Sequence, residues 1–355
     1  MIMVEAVATR HGTMIAIILA AGIGSRMRPL TETIPKPLIT VDGQPLIDRT
    51  LSLLHTAGIR DVIIVGGYHF GKLRDHCMHW DDRLNITTIE NSNYLKGNII
   101  SLLSARDHLS GNILLMNADH IYSQALMDSF LTICFAQNTL SNGSPSIIIA
   151  CDSGRTLTDD DMKVKFGETE QDLEKEIGHD SEEDTENDSE QDIGKDSELE
   201  IGHDIEKHIG KDSELETEQD IDQEVGHDSE QDMNQEIGQI LGPDSPWRHE
   251  RIMGKLTAIG KSLEDSGRGY IGMTFIHGEA VDEYRAALDA TIEFCGEGAV
   301  VEDVLGYLAW NKQKVIGIDL SGMGWMEIDT PWDRKQANAC LSRGDWEGFW
   351  NVDRG

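Results

Sequence analysis

The stretch Leu19-Ala-Ala-Gly-Ile-Gly-Ser-Arg-Met-Arg-Pro-Leu30, followed closely by Pro35-Lys36-Pro37-Leu38, decides the fold. The apolar run Ile15-Ala-Ile-Ile-Leu19 leading into it has the length and composition of a buried strand. Ala20-Ala21-Gly22-Ile23-Gly24 then turns the chain sharply. Glycines at such a turn let backbone N–H groups face an anion such as a triphosphate. Arg26 adds a planar, forked donor and Lys36 a mobile point charge. No Gly-Lys-Ser/Thr follows, so the loop is not of the Walker type. The dinucleotide fingerprint also fails, for want of a third glycine opening a helix.

Outward from this stretch, short apolar runs alternate with helix-like segments. Leu46, Ile47, Leu51 and Leu54 give 45–57 a helical period that Gly58 stops. Val62–Val65, Ile86–Ile89 and Ile113–Met116 read as strands, and Ile99–Leu109 and Ser123–Ala136 as helices. Ser146–Cys151 is the next strand, and Met162–Phe166 is expected to pair with Lys255–Ile259 as a hairpin. Beyond it come a strand at Tyr270–Ile276, helices at Ala280–Thr291 and Val301–Trp310, a strand at Val315–Leu320 and a helix at Trp332–Leu341. Strands alternating with helices of this length predict an α/β fold with a mostly parallel central sheet between helical layers.

The chain has 355 residues and a net charge of −34. Nearly half of its 64 Asp and Glu lie within 167–250, where the phrase Ile-Gly-His/Lys-Asp-Ser-Glu recurs from Ile177, Ile193 and Ile209, with a variant from Val225. The copies start 16 residues apart, two units of eight, which is neither a heptad nor an eleven-residue repeat and argues against a coiled coil. One aliphatic residue per eight cannot offset the entropy of ordering, so the segment is expected to be a disordered acidic insert in the hairpin turn. The expected organisation is an N-terminal extension over 1–13, one domain from 14–166 plus 251–342, the insert at 167–250, and a tail at 343–355. No run of about 18 apolar residues is present, and 1–13 lacks the apolar stretch of a signal peptide. Five scattered cysteines read as thiols in a reducing cytoplasm. The acidic balance argues against nucleic acid as a partner.

The loop Gly22-Ile-Gly24-Ser-Arg26-Met-Arg-Pro29-Leu-Thr31 with Pro35-Lys-Pro-Leu38 resembles the signature of the sugar-phosphate nucleotidyltransferase superfamily, GxGxRxxPxT…PKPL. The resemblance implies a Rossmann-like nucleotidyltransferase fold and transfer of a nucleoside monophosphate from an NTP to a small phosphorylated acceptor, with Mg²⁺. It also implies a metal-binding Asp at the end of a strand, matched by Asp119, and a late one, matched by Asp329 in Glu327-Ile-Asp-Thr-Pro331. Alone, each could be a turn former or a cap, and Glu327 could ligate in place of Asp329. Arg26, Lys36, Asp119 and Asp329 are the expected catalytic set. Leu19, Ala20, Ala21, Gly22, Gly24, Ser25, Arg26, Lys36 and Asn98 are the expected nucleotide contacts. Asn98 could read the base or simply cap a helix. Lys163 and Lys261 would hold the acceptor phosphate, or be surface lysines. Arg106 and His120 read as structural or rim residues.

Glu90-Asn-Ser-Asn-Tyr94-Leu-Lys-Gly97-Asn98 with the following helix resembles a segment of the cytidylyltransferases for inositol-1-phosphate, phosphocholine and 2-aminoethylphosphonate. That points to CTP and a phospho-alcohol, with Glu302 and Asp303 available for hydroxyl groups. Two other readings stay open: a hexose-1-phosphate nucleotidyltransferase using UTP, dTTP or GTP, and a catalytically silent regulatory or binding subunit. A homo-oligomer is also left open.

Overall fold

The computed structural model describes residues 14–140, 146–167, 252–264, 266–346 and 349. The octad-repeat segment and the N-terminal extension, with the expectations placed on them, lie outside these residues.

The described residues begin with β1 (Met14–Ala20) and a loop of three short 3-10 turns. The small hairpin β2 (Thr40–Val41) and β3 (Gln44–Pro45) leads into α1 (Leu46–Thr56). Then come β4 (Asp61–Gly66), α2 (Phe70–Cys77), β5 (Asn85–Glu90), α3 (Ile99–Ser104), β6 (Asn112–Asn117) and β7 (His120–Tyr122). Next are α4 (Gln124–Leu140), β8 (Ile147–Asp152), β9 (Lys163–Phe166), β10 (Ile252–Gly260) and β11 (Gly269–Ile276). The chain continues through α5 (Val281–Cys295), α6 (Val301–Trp310), β12 (Val315–Asp319), β13 (Trp325–Glu327) and α7 (Pro331–Leu341).

Nine strands form one sheet in the order β5-β4-β1-β6-β11-β8-β12-β10-β9, with β5 and β9 outermost. Helices cover both faces. Ala16 and Ile18 of β1 point into one core with Leu51, Leu54, Leu126 and Phe130. Ile17 and Leu19 point into the other with Ile99, Leu288, Val304 and Leu305. Period-2 alternation in a strand buried on both faces explains why β1 reads as a continuous apolar run.

The sheet is mixed rather than mostly parallel, which corrects the expectation. Parallel pairs join β5-β4, β4-β1, β1-β6 and β8-β12, whereas β6-β11, β11-β8, β12-β10 and β10-β9 are antiparallel. The physical reason lies in the connections. Parallel neighbours need a crossover, and β8 to β11 follow one another with no described helix between them. The expected hairpin forms as β9 against β10, with Ile259 opposite Val164 and Gly260 opposite Lys163.

In β1, Leu19 lies opposite Val65 on one side and Asn117 on the other, so the carboxyl ends of three parallel strands are level. In open α/β sheets that edge is where ligands sit. A third, smaller core of Met27, Ile39, Val41, Ile121, Met326, Ile328 and Ala337 ties the β1 loop, β7, β13 and α7 together over it. The five cysteines carry thiols, none paired in a disulfide. Among the described residues, no helix is long and apolar enough to cross a membrane.

Candidate active site

After Ala20 the loop turns at Gly24, whose φ of 63° is left-handed. A Cβ there would sit 3.0 Å from Cβ of Lys36, so this glycine lets the Lys36 stem cross over the turn. Thr31 Oγ1 donates to the Gly24 carbonyl at 2.8 Å and closes the loop. Lys36 opens a 3-10 turn between two prolines and points inward, its side chain 12% exposed. At Gly22 a Cβ would meet no atom within 4 Å. Leu19, Ala20, Gly22, Lys36 and Asp119 line a narrow crevice at this edge.

Four expected residues meet here. Lys36 Nζ donates to Asp119 Oδ2 at 2.8 Å and to Asp329 Oδ1 at 2.5 Å, and Arg26 Nη2 donates to Asp329 Oδ2 at 2.7 Å. Burial opposes charge on the Lys36 ammonium, but Asp119 and Asp329 outweigh it and hold its pKa above the usual lysine value. Burial likewise opposes ionisation of Asp119, yet Lys36 and His120 hold its carboxyl far below the usual carboxylate range. Asp329 is placed by the N-terminus of α7. Asp333 accepts from the backbone N–H groups of Asp329 at 3.1 Å and Thr330 at 2.8 Å, and Thr330 Oγ1 accepts from Asp333 N in return.

Two residues that the sequence reading set at the margin belong to the centre. His120, taken as structural or rim, is 6% exposed, and its Nδ1 lies 2.8 Å from Asp119 Oδ1. Glu327 sits directly opposite His120 in the β7–β13 ladder. Ligand atoms of Asp119, His120 and Glu327 lie within 4.8 Å of one another. Burial, with Asp329 and Asp119 nearby, pushes the Glu327 carboxyl up to about 7. The three-residue strands β7 and β13 make this juxtaposition, and they are too short to announce themselves by period.

Lys163 and Lys261 flank a neighbouring cleft of about 960 Å³, also walled by Arg155, Thr156, Ser262 and Ser266. Lys163 Nζ donates to the Lys261 carbonyl at 2.9 Å, and Lys261 Nζ lies 3.6 Å from Asp160 Oδ1. Asp160 also pairs with Arg26 at 3.4 Å, which joins the cleft to the Lys36 centre.

Asn98 does not cap its own helix α3. Its Oδ1 accepts from Val301 N at 2.8 Å, at the amino end of α6. Asp303, expected to be free for hydroxyl groups, instead accepts from Val300 N at 2.8 Å at the start of α6. Arg106 is structural as expected, held by Asp289 through two bonds of 2.9 and 2.5 Å.

Residues 16–156 match the family profile of the MobA-like NTP transferase domain. The resemblance to the nucleotidyltransferases read from the sequence therefore holds. Over 111 residues the chain is 41% identical to a 2-aminoethylphosphonate cytidylyltransferase of Lancefieldella rimae, covering 30% of this chain and 44% of that one. It is 35% identical to a UTP–glucose-1-phosphate uridylyltransferase of Haloferax volcanii, covering 32% of this chain and 46% of that one. These matches thus span less than half the length of either relative. The fold aligns with the inositol-1-phosphate CTP transferase of T. maritima at a TM-score of 0.57 and 15% identity, covering 97% of this chain and 98% of the other. The chain thus has the nucleotidyltransferase fold.

Proposed function

We propose that this chain is a magnesium-dependent nucleotidyltransferase that moves CMP from CTP to a small phosphorylated alcohol and releases pyrophosphate. The observation that carries the reading is the joint placement of Arg26, Lys36, Asp119 and Asp329 at the carboxyl edge of the sheet. Two cations and two carboxylates converging on a glycine turn suit a triphosphate with its cation better than any uncharged ligand.

In the proposed reaction an oxygen of the acceptor phosphate attacks the α-phosphorus of the NTP, and the bond from that phosphorus to the β-phosphate bridging oxygen breaks. Little covalent work falls to the protein, so positioning and charge stabilisation carry the rate. The turn from Leu19 to Ser25 offers backbone N–H groups to the phosphates. Arg26 and Lys36 would leave their carboxylate partners in part to neutralise charge on the β- and γ-phosphates. Lys163 and Lys261 would aim the acceptor phosphate from the adjoining cleft, and Asp160 would yield Lys261 to it. Asp119 and Asp329 would hold the divalent ion, with Glu327 as a third oxygen donor. This hard, oxygen-dominated set fits Mg²⁺. Once bound, such an ion supplies Lewis-acid stabilisation of the α-phosphate.

Residues 14–166 with 251–342 would act as one catalytic unit in a reducing cytoplasm. The 41% identity to an aminoethylphosphonate cytidylyltransferase favours CTP and a phospho-alcohol or phosphonate acceptor. The uridylyltransferase relative keeps a second reading, UTP with a hexose-1-phosphate, in the test. A pyrophosphate-release assay crossing four NTPs with inositol-1-phosphate, phosphocholine, aminoethylphosphonate and hexose-1-phosphates decides between them. Signal with CTP and one phospho-alcohol or phosphonate is expected. Silence in every combination would overturn the enzymatic reading.

A further inference from the structure

Nothing in the proposed reaction uses His120, yet the residue is 6% exposed and closely surrounded. The ring lies nearly parallel to Trp325 at 5.7 Å and 6°, and to Tyr122 at 5.9 Å and 20°. On its edge stands Gly272, at a left-handed φ of 72°, where a Cβ would come 3.0 Å from His120 Nε2 and 3.1 Å from Cε1. The ring is therefore flanked by two aromatic rings and bounded along one edge by Gly272. Trp325 is itself fixed, since its Nε1 donates to Asp152 Oδ2 at 2.7 Å.

The remaining edge presents Nδ1 to Asp119 Oδ1 at 2.8 Å, while Asp119 Oδ2 faces Lys36 Nζ at 2.8 Å. A carboxylate paired with an ammonium can only accept, so the imidazole must donate through Nδ1–H. The two oxygens of Asp119 are thereby given separate tasks. Oδ1 is committed to a rigid donor, and Oδ2 is left for the cationic side.

We infer that His120 is a positioning residue, whose Nδ1–H fixes the rotation of the Asp119 carboxylate and so preorganises the divalent-ion site. The inference rests on the proposed function for the ion's role in turnover, but its effect on ion binding can be read without turnover. Partners of this kind usually govern 10–100-fold in metal affinity.

The test is an EPR titration of Mn²⁺ into the purified full chain, wild type beside His120→Ala, His120→Gln and His120→Asn. Asn places an amide N–H close to the Nδ1 position, whereas Gln mimics Nε2. Expected is a loss of about 10–100-fold in Mn²⁺ affinity for Ala and Gln, with Asn recovering most of it. In the pyrophosphate assay the same variants should raise the Mn²⁺ concentration for half-maximal rate, with the KM for NTP at saturating metal little changed. Equal affinity losses in all three variants, accompanied by a shared fall in melting temperature, would reduce His120 to a packing role and overturn the inference. A ¹⁴N imidazole modulation on bound Mn²⁺ that disappears in His120→Asn would overturn it too, by making His120 a ligand. So would wild-type protein that binds no Mn²⁺ at millimolar concentration. A silent pyrophosphate assay beside the expected Mn²⁺ pattern would sink the proposed activity alone.

Discussion

The ammonium of Lys36 lies 2.5 Å from Oδ1 of Asp329, although 293 residues separate the two in the chain. The loop after the first strand is thus pinned to the segment leading into α7 by two ion pairs on Asp329, from Lys36 and from Arg26, and Asp119 closes the same ammonium from the other side. Such a charge sits where a triphosphate would need neutralising, so Lys36→Ala should lower kcat about 10²–10³-fold, the usual cost of a lost transition-state donor. Steady-state kinetics on a variant with native circular dichroism checks this. Turnover at the wild-type rate would remove Lys36 from the mechanism.

Chelation should abolish turnover, and added Mg²⁺ should restore it. Asp119→Asn and Glu327→Gln should each weaken the response to Mg²⁺ by more than the 10–100-fold expected of a residue that only supports a ligand. Metal titrations of the initial rate report this directly. A Glu327→Gln enzyme with an unaltered Mg²⁺ profile would assign the ion to Asp119 and Asp329 without it.

The wall of the cleft beside Lys163 and Lys261 carries a buried pair, Arg155 Nη2 to Asp161 Oδ1 at 2.7 Å, and Thr158 N also donates to Asp161 at 2.6 Å. Burial opposes the Asp161 charge, but Arg155 and Thr158 hold its carboxyl below the usual range. A depressed folded-state value means the unfolded chain binds the proton more readily near pH 4. Stability from this pair is therefore present above that pH and is lost as pH falls through the lower folded-state value. Asp161→Asn should cost about 1.5–3 kcal/mol at pH 7, the usual contribution of a hydrogen bond to a charged group. The deficit should shrink below pH 4. Melting temperatures measured from pH 7 down to pH 3 follow it, and a constant deficit would exclude the electrostatic origin.

Asn98 bridges α3 to the amino end of α6. Asn98→Ala should therefore lower stability by about 1 kcal/mol, roughly 2–4 °C in Tm for a chain of this size, and leave the KM for NTP near its wild-type value. A rise in that KM without loss of stability would return Asn98 to the nucleotide.

The glycine turn, the inward lysine and the two aspartates were legible because each sits at the end of a strong local signal. Apolar β1 and β6 announce the strand ends, and Pro35 and Pro37 fix the turn that carries Lys36. What stayed hidden depends on tertiary pairing. The three-residue ladder of β7 and β13 that brings Glu327 to His120 has too little length for a period, and Gly272 notches the ring from a strand 152 positions further on. Strand direction was equally out of reach beyond β8, because alternation counts elements and does not orient them. Asn98 misled for a related reason. A polar residue before a helix signals a cap, but the helix it caps is chosen in space.

The two outer strands of the sheet have a consequence for how copies of this protein can meet. β5 exposes Asn85, Thr87 and Glu90, and β9 is four residues long with Lys163 and Lys165 among them. Short, charged or polar margins discourage intermolecular strand addition. Among the described residues, both borders carry such side chains, which favours side-chain contacts over a continuous sheet as the way two copies would meet.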